Sequence, residues 1–267
     1  MRFEFGNNWR SFLALLDERR IEESERAIKI SLGRDNLAGL RVLDIGSGSG
    51  LSSLAMHRLG ASVTSFDYDA MSVECTRELR DRFAAGSERW EVMRGSVLDA
   101  PFMATLGSYD IVYAWGVLHH TGDMWRAIDL AASRVADGGQ FLVALYNDQG
   151  WRSRLWWHIK RAYCSGSIGR ALVKTAFYPL FALYALALDL RQGNMPGTHA
   201  RNYARRRGMS LIHDWRDWLG GYPFEVASPA AVHSALTPRG FSLENETLTR
   251  GWGCSEFVLR QQGAKRG

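Results

Sequence analysis

The stretch Arg41–Asp67, RVLDIGSGSGLSSLAMHRLGASVTSFD, decides how this chain folds. Arg41–Gly46 is a short apolar run that reads as a buried strand, and it passes directly into Gly46-Ser47-Gly48-Ser49-Gly50. Leu51–Leu59 then looks helical, Gly60 closes it, and Ser62–Asp67 is a second strand. Glycines at a strand-to-helix turn allow positive φ and let a ligand come close to the backbone. Open α/β sheets bind ligands outside the carboxyl ends of their strands, at the switch point, so the geometry makes this a cofactor loop. Its spacing is G-x-G-x-G. A dinucleotide fingerprint fails because Leu51 or Ser53 stands where the third glycine would fall, and no Gly-Lys-Ser/Thr follows for a P-loop. Asp44, inside the strand two residues before the loop, would face a positively charged ligand rather than a pyrophosphate. Asp67 ends the second strand, 23 residues after Asp44, where an acid accepts both hydroxyls of a ribose. The alternative for Asp67 is a helix cap, because Asp67 and Asp69 precede a helix.

Outward from this stretch the pattern repeats. Ala70–Phe83 is an amphipathic helix, Trp90–Leu98 a third strand, Tyr109–Trp115 a fourth, Asp123–Val135 a helix stopped by Gly138-Gly139, and Gln140–Asn147 a fifth strand. Strands alternating with helices imply right-handed crossovers and a mostly parallel sheet. Upstream, Asn8 to Leu32 reads as helix with Gly33 as its stop. Downstream, Pro229–Leu236 reads as helix, and Phe241–Thr249 with Ser255–Arg260 make two last strands able to pair as an antiparallel edge.

Taken in order, VLDIGSGSG (Val42–Gly50), SFDYD (Ser65–Asp69), RGSVLD (Arg94–Asp99) and YDIVYAWGVLHHTGD (Tyr109–Asp123) resemble the successive motifs of class I S-adenosylmethionine-dependent methyltransferases, over roughly residues 38–147. The resemblance implies an α/β, Rossmann-like, mostly parallel seven-stranded sheet with helices on both faces. It implies that Asp44, Gly46, Ser47, Gly48 and Gly50 wrap the methionine part and the adenosine of the cofactor, with Asp67 and Tyr68 at the ribose and Trp115 at the end of the fourth strand. An acid that usually follows the glycine after the third strand is replaced by Ser96, so adenine contacts fall to Ser96, Val97 and Asp99; Asp99 reads equally as the cap of a helix beginning at Pro101. The sequence also resembles sugar and quinol O-methyltransferases at His119-His120, where a histidine is proposed as base. The other reading is that the histidines shape the cofactor pocket. A general base adds about 10²–10⁴-fold, and the ordinary histidine pKa of about 6.5 suits the task. No third ligand at suitable spacing is visible, so no metal is expected.

Composition sets the rest. Of 267 residues, 46% are hydrophobic and 23% charged, values ordinary for a globular protein rather than a disordered one. The opening MRFEFGNNWR has no apolar stretch, so no secretory signal is expected. No uncharged apolar run reaches about 18 residues, so no spanning helix is expected. Three separated cysteines without C-x-x-C fit a reducing cytoplasm.

The net charge of +5 conceals an uneven distribution. Trp151–Arg207 holds eleven Lys and Arg against the single acid Asp189, a net of +10, so the remainder of the chain is negative. The same segment holds the longest apolar run, Ala176–Leu188, 13 residues. Its place after the fifth strand suggests a helical insertion that serves as lid or acceptor subdomain. Trp151, Trp156, Trp157 and Tyr163 are suited to stacking on a sugar, ring or lipid, or simply to filling a helical subdomain. The charge surplus points to an anionic partner: a phosphate-bearing acceptor, an anionic bilayer or RNA, and the apolar run favours the lipid. In Arg207–Glu225, His213, Asp214 and Tyr222 are expected to line an acceptor pocket with Tyr146 and Trp151, with packing of Trp215, Trp218 and Leu219 as the rival. Phe5–Trp9 (FGNNW) is expected to fold over the cofactor as a gate.

The expected organisation is a helical gate at 1–37, a cofactor-binding core at 38–149, a basic aromatic insertion at 150–207 and a C-terminal part of the core at 208–267. The expected function is methyl transfer from S-adenosylmethionine to an oxygen of a small-molecule or lipid-linked acceptor, in the cytoplasm or at the inner membrane face. The alternatives are an RNA methyltransferase docking through the basic insertion and a non-catalytic cofactor-binding scaffold.

Overall fold

The structure, a computed structural model, describes residues 3, 6–14, 16–207 and 211–263. Seven strands form one sheet: β1 (Arg41–Ile45), β2 (Ser62–Asp67), β3 (Trp90–Arg94), β4 (Tyr109–Trp115), β5 (Val135–Tyr146), β6 (Phe241–Thr247) and β7 (Cys254–Gln261). Their order is β3-β2-β1-β4-β5-β7-β6. The first five are parallel, and β7 pairs antiparallel with both β5 and β6. Because β1 and β4 are neighbours, the loops leaving their carboxyl ends meet at the switch point, where this kind of sheet opens a crevice.

Eleven helices are described: α1 (Gly6–Leu13), α2 (Glu18–Leu32), α3 (Leu51–Arg58), α4 (Ala70–Phe83), α5 (Ala100–Thr105), α6 (Met124–Ala132), α7 (Trp151–Cys164), α8 (Ser167–Arg191), α9 (Thr198–Arg207), α10 (Leu211–Gly220) and α11 (Pro229–Leu236). Strand side chains alternate between two packed layers. Leu43, Ile45, Val112, Phe141 and Val143 join the layer under α6 and α11. Val42, Ile111, Tyr113 and Leu142 join the layer under α2, α3 and α4. A third, small cluster around Tyr163, Cys164 and Leu219 holds α7, α8 and α10 together away from the sheet. The Rossmann-like, mostly parallel sheet with helices on both faces and a helical insertion after β5 is therefore the fold.

Three expectations change. The single N-terminal helix is two, because Asp17 takes an extended conformation and its side chain caps α2 by accepting from the Arg20 amide. Gly138-Gly139 does not end a helix. α6 ends at Ala132, and the glycines lie inside β5, which begins at Val135 and shifts register against β4 between Tyr109 and Ile111. A Cβ at Gly139 would stand 2.9 Å from the Ala136 carbonyl and 3.0 Å from that of Asp110, so close backbone approach demands glycine there. Third, α8 is long and apolar enough, by length and composition, to cross a membrane. The 13-residue uncharged run understated it because Arg170 and Lys174 sit within the same 25-residue helix.

Candidate active site

The glycine loop is shaped by its own backbone. Gly46, Gly48 and Gly50 all have positive φ, at 75°, 56° and 83°, a region costly for residues with a Cβ. A Cβ on Gly46 would lie 2.3 Å from the Val117 side chain, so glycine also lets the loop after β1 pack against the loop after β4. Gly50 starts α3.

Asp67 is separated from the capping role by its neighbour. Asp69 is the cap of α4, accepting from the Met71 amide at 2.8 Å. Asp67 instead turns to the loop: Oδ2 accepts from the Gly48 amide at 3.0 Å and Oδ1 from the Asp69 amide at 2.9 Å. Burial pushes its carboxyl upward, and the backbone amides pull it partly back. Each carboxylate oxygen retains acceptor capacity beyond one amide. Gly46, Gly48, Asp67, Tyr68, Ser96 and Val97 all border one cleft of about 870 Å³, large enough for a nucleoside-sized ligand and a second molecule. Trp9 of α1 covers this end, its ring 3.0 Å from where a Gly48 Cβ would stand.

The other end of the cleft is built of side chains. β4 leads through Gly116, with φ 74°, into a 3-10 turn at Leu118–His120. His119 is fully buried, and neither ring nitrogen has a hydrogen-bond partner among the described residues. Burial, followed by the neighbouring His120 charge, holds its pKa well below the usual histidine range, so the ring is neutral. It packs 4.1 Å from Tyr146 and 4.4 Å from His120, between ring centroids. His120 Nδ1 lies 2.7 Å from the Pro223 carbonyl oxygen. A carbonyl only accepts, so Nδ1–H is the donor, and in the neutral form of the ring the lone pair lies on Nε2.

The segment Tyr222–Ala227 straps this turn in place. The Glu225 amide donates to the His119 carbonyl at 3.0 Å, and the Ala227 amide to the Tyr146 carbonyl at 2.9 Å. The Glu225 carboxylate accepts from the amides of Gly122 and Met124, both at 3.1 Å, at the start of α6. From the insertion, Trp156 and Lys160 reach the cleft, Lys160 only 4% exposed. Its ammonium donates to the Trp218 carbonyl and lies 5.1 Å from the Phe224 ring centre. Cys254 also borders the cleft, but burial and then the Glu256 carboxylate push its thiol up to about 12, which excludes a thiolate nucleophile at neutral pH.

A family model described as a methyltransferase domain matches residues 14–175. The chain belongs to the methyltransferase-domain family. Among curated relatives, the ubiquinone biosynthesis O-methyltransferase of Xanthomonas oryzae pv. oryzae (strain PXO99A) is 35% identical over 114 residues, 43% of this chain and 46% of that protein. The protein of the same name from Caulobacter sp. (strain K31) is 31% identical over 116 residues, 43% and 44% of the two chains. The match thus spans less than half the length of these relatives. Among solved structures, magnesium protoporphyrin IX methyltransferase from Synechocystis PCC 6803 with bound SAH superposes with a TM-score of 0.54 at 17% identity, covering 91% of this chain and 83% of that one. An O-methyltransferase family protein from Burkholderia thailandensis gives 0.53 at 13%, covering 92% and 58%. Those two likenesses are of fold.

In this methyltransferase-domain chain the cleft gathers Gly46, Gly48, Asp67, Tyr68, Ser96, Val97, Trp115, His119, His120, Tyr146 and Asp214 of the residues singled out from sequence. The others go elsewhere. Asp44 lies under the loop, 2% exposed, and accepts from the Ser53 hydroxyl. Ser47 bonds the Thr76 hydroxyl at 2.9 Å. Asp99 is the cap of α5, accepting from the Phe102 amide at 3.1 Å, and is not among the residues that border the cleft. Trp151 does not reach the cleft: it opens α7 with its ring 63% exposed under Arg152. Tyr222 packs beside Trp157 in the insertion cluster instead of lining the pocket. Asp214 borders the cleft and accepts from the Tyr203 hydroxyl. The His213 side chain and Phe5 lie outside the described residues. Lys160, Phe224 and Trp252 were not singled out for the cleft. Ser153, Trp156 and Lys160 recur at helical spacing and share one face of α7, which was the available signal for Lys160.

Proposed function

We propose that this chain transfers a methyl group from S-adenosylmethionine to an oxygen of a small apolar or lipid-linked acceptor. The observation that carries the reading is that one cleft joins the Gly46–Gly50 loop and Asp67 to the His119-His120 turn. The residues present fit the cofactor. The loop has no Cβ where a ligand would approach, and Asp67 offers a carboxylate for two ribose hydroxyls. Ser96 and Val97 border the same end for the adenine. When bound, S-adenosylmethionine supplies a methyl group on a cationic sulfur that leaves as a neutral thioether.

The chain's own part is to hold the acceptor oxygen in line and take its proton. His120 Nε2 is the base, oriented by Pro223 through Nδ1. As the acceptor O–C bond forms, the hydroxyl proton passes to Nε2. His119, buried and neutral, supports His120 and Tyr146 from beneath. Positioning in such a cleft is worth about 7–11 kcal/mol of barrier. Trp156, Phe224 and Trp252 form apolar walls for a ring or isoprenoid-like body, and Lys160 adds a positive charge beside them. Phe3 and Trp9 border the cleft from the N-terminal segment, and we read that segment as its gate.

The exposed apolar surface of α8 favours a lipid-linked acceptor over RNA, whose phosphates offer that surface nothing. A cytoplasmic setting is supported by the free cysteines Cys75, Cys164 and Cys254. The test is calorimetry with S-adenosylmethionine and its demethylated product, followed by a screen of phenolic and quinol acceptors for methylated product. Binding of both, with methyl appearing on an acceptor oxygen, is expected. No uptake of either by folded protein would overturn the reading, and binding without any transfer would leave the scaffold role.

A further inference from the structure

The insertion carries two surfaces that nothing among the described residues satisfies. The first is apolar. α8 packs one side, through Val173, Phe177, Tyr178 and Phe181, into the cluster that holds α7 and α10. The opposite side presents Ile168, Leu172, Leu180, Leu183, Tyr184 and Leu190 to solvent, with Leu180 58% and Leu183 61% exposed. At 3.6 residues per turn these six share about half of the helix circumference, and no residue of the most apolar 18-residue window is buried. A contiguous apolar face of this length on a protein marks an interaction site.

The second surface is cationic. Arg152, Arg154, Arg161, Arg170, Arg191 and Arg201 are all exposed, and among the described residues none of the six forms an ion pair. Arg152, Arg161 and Arg170 lie instead over the rings of Trp151, Trp157 and Tyr163. Trp151–Arg207 sets eleven Lys and Arg against the single acid Asp189, which is buried, whereas the rest of the chain carries a net negative charge. The contrast points outward, to a partner that brings negative charge.

We infer that α8 and its flanking arginines are a docking face for an anionic phospholipid bilayer, on which the helix lies in the headgroup plane with Leu180 and Leu183 in the acyl region. An interfacial helix needs this combination of an apolar face and basic residues around it. A second copy of this chain is the wrong occupant, because a two-fold contact through α8 would set two segments of net +10 against each other. A spanning arrangement would strip α8 from Val173, Phe177 and their neighbours on α7 and α10. Docking in the plane keeps those contacts. Trp156 and Lys160 on α7 and Asp214 and Trp218 on α10, the helices packed against the inner side of α8, border the cleft. The inference stands on the insertion alone and does not rest on the methyl-transfer reading: a chain that docks but takes up no S-adenosylmethionine would overturn that reading and leave this one intact.

The test is flotation of the whole chain with vesicles of equal parts phosphatidylglycerol and phosphatidylcholine, and with phosphatidylcholine alone. Binding to the anionic vesicles that weakens with added salt is expected. The double variant Leu180→Glu/Leu183→Glu should lower it by roughly tenfold or more with an unchanged thermal melt, because both side chains are solvent-exposed. If that variant melts early, Leu190→Glu, at the far end of the helix, is read in its place. Three results would overturn the inference: no flotation of folded protein with anionic vesicles, equal binding to neutral ones, or a variant that floats as well as the parent. A dimer in sedimentation that the leucine variants dissolve would assign the face to a second copy and overturn it too.

Discussion

The two ends of the cleft are made of different materials. The end we propose for the nucleoside is a backbone device: three positive-φ glycines, amides of Gly48 and Asp69, and one carboxylate, all within Gly46–Asp69. The end we propose for the acceptor is a side-chain device. It is collected from His119 and His120 after β4, Tyr146 at the end of β5, Lys160 on α7, Asp214 on α10, Phe224 in the strap and Trp252 before β7. A backbone device tolerates little variation, since each atom position is fixed by chain geometry. A side-chain device contributed by many elements can change its ligand one residue at a time. The family's chemistry therefore belongs to the first end, and whatever is particular to this chain belongs to the second.

The sharpest way to break this comparison is at the junction of the two ends. His120→Ala should lower turnover about 10²–10⁴-fold while the calorimetric Kd for the demethylated cofactor stays within roughly threefold. His119→Ala should lose less turnover and more stability, about 2–3 kcal/mol, because it empties a fully buried site under Tyr146. Equal turnover losses in the two variants would remove the distinction between base and support. Unchanged turnover in both would remove the base altogether.

At the nucleoside end, Asp67→Ala should weaken cofactor binding by about 10²–10⁴-fold. Two hydroxyl bonds to a carboxylate are lost, each worth about 1.5–3 kcal/mol, and so is the brace on the Gly48 amide. The same substitution should leave turnover at saturating cofactor nearly intact. A loss confined to turnover would show that Asp67 belongs to the chemistry.

These two ends also differ in how far the sequence disclosed them. The glycine spacing and Asp67 lie close together along the chain, and local geometry is short-range, so the strand, the loop and the acid beside it were all legible. The two readings of Asp67 needed coordinates, because only the structure hands the cap to Asp69. Asp99 carried the same two readings, a cap and an adenine contact, and the structure displays the cap through the Phe102 amide. The acceptor end depends on chain segments that meet across a hundred residues or more, as His120 meets Pro223. Nothing local in Trp151 distinguishes it from Trp156, yet one faces solvent and the other the cleft. Gly138-Gly139 misled because a glycine pair signals a break in a helix and a bulge in a strand equally well.

Gly48→Ala tests the backbone device more gently. Its φ of 56° costs an alanine about 1–2 kcal/mol, and the new methyl would meet the Trp9 ring at 3.0 Å. Cofactor affinity should fall about tenfold. Adding Trp9→Ala should relieve the contact but not the dihedral, so calorimetry on the double variant should recover only part of the loss. Full recovery would mean that the gate, not the loop backbone, sets the geometry.

The smallest effect compares two buried titrating groups, one under each end. Asp44 is pushed up to about 7 from 3.8, chiefly by burial, with the Ser53 hydrogen bond opposing and the Asp67 charge adding to it. A carboxyl raised on folding stabilises the fold below its unfolded value and loses that contribution as pH rises toward 7. His119 is displaced downward from 6.5, first by burial. A histidine lowered on folding costs stability as pH falls below 6.5, because the unfolded chain takes the proton. Between about pH 4 and pH 6.5 the two slopes oppose each other, each limited to about 1.4 kcal/mol per pH unit. The difference curve for Asp44→Asn, from urea unfolding of ligand-free protein, should therefore show the variant gaining on the parent as pH rises to about 7, because the opposing Asp44 slope is gone. The curve for His119→Gln should run the other way, the variant gaining as pH falls below 6.5. Parallel curves would mean that the loop floor and the acceptor floor are not separately buried, and that the division between the ends is one of side-chain identity alone.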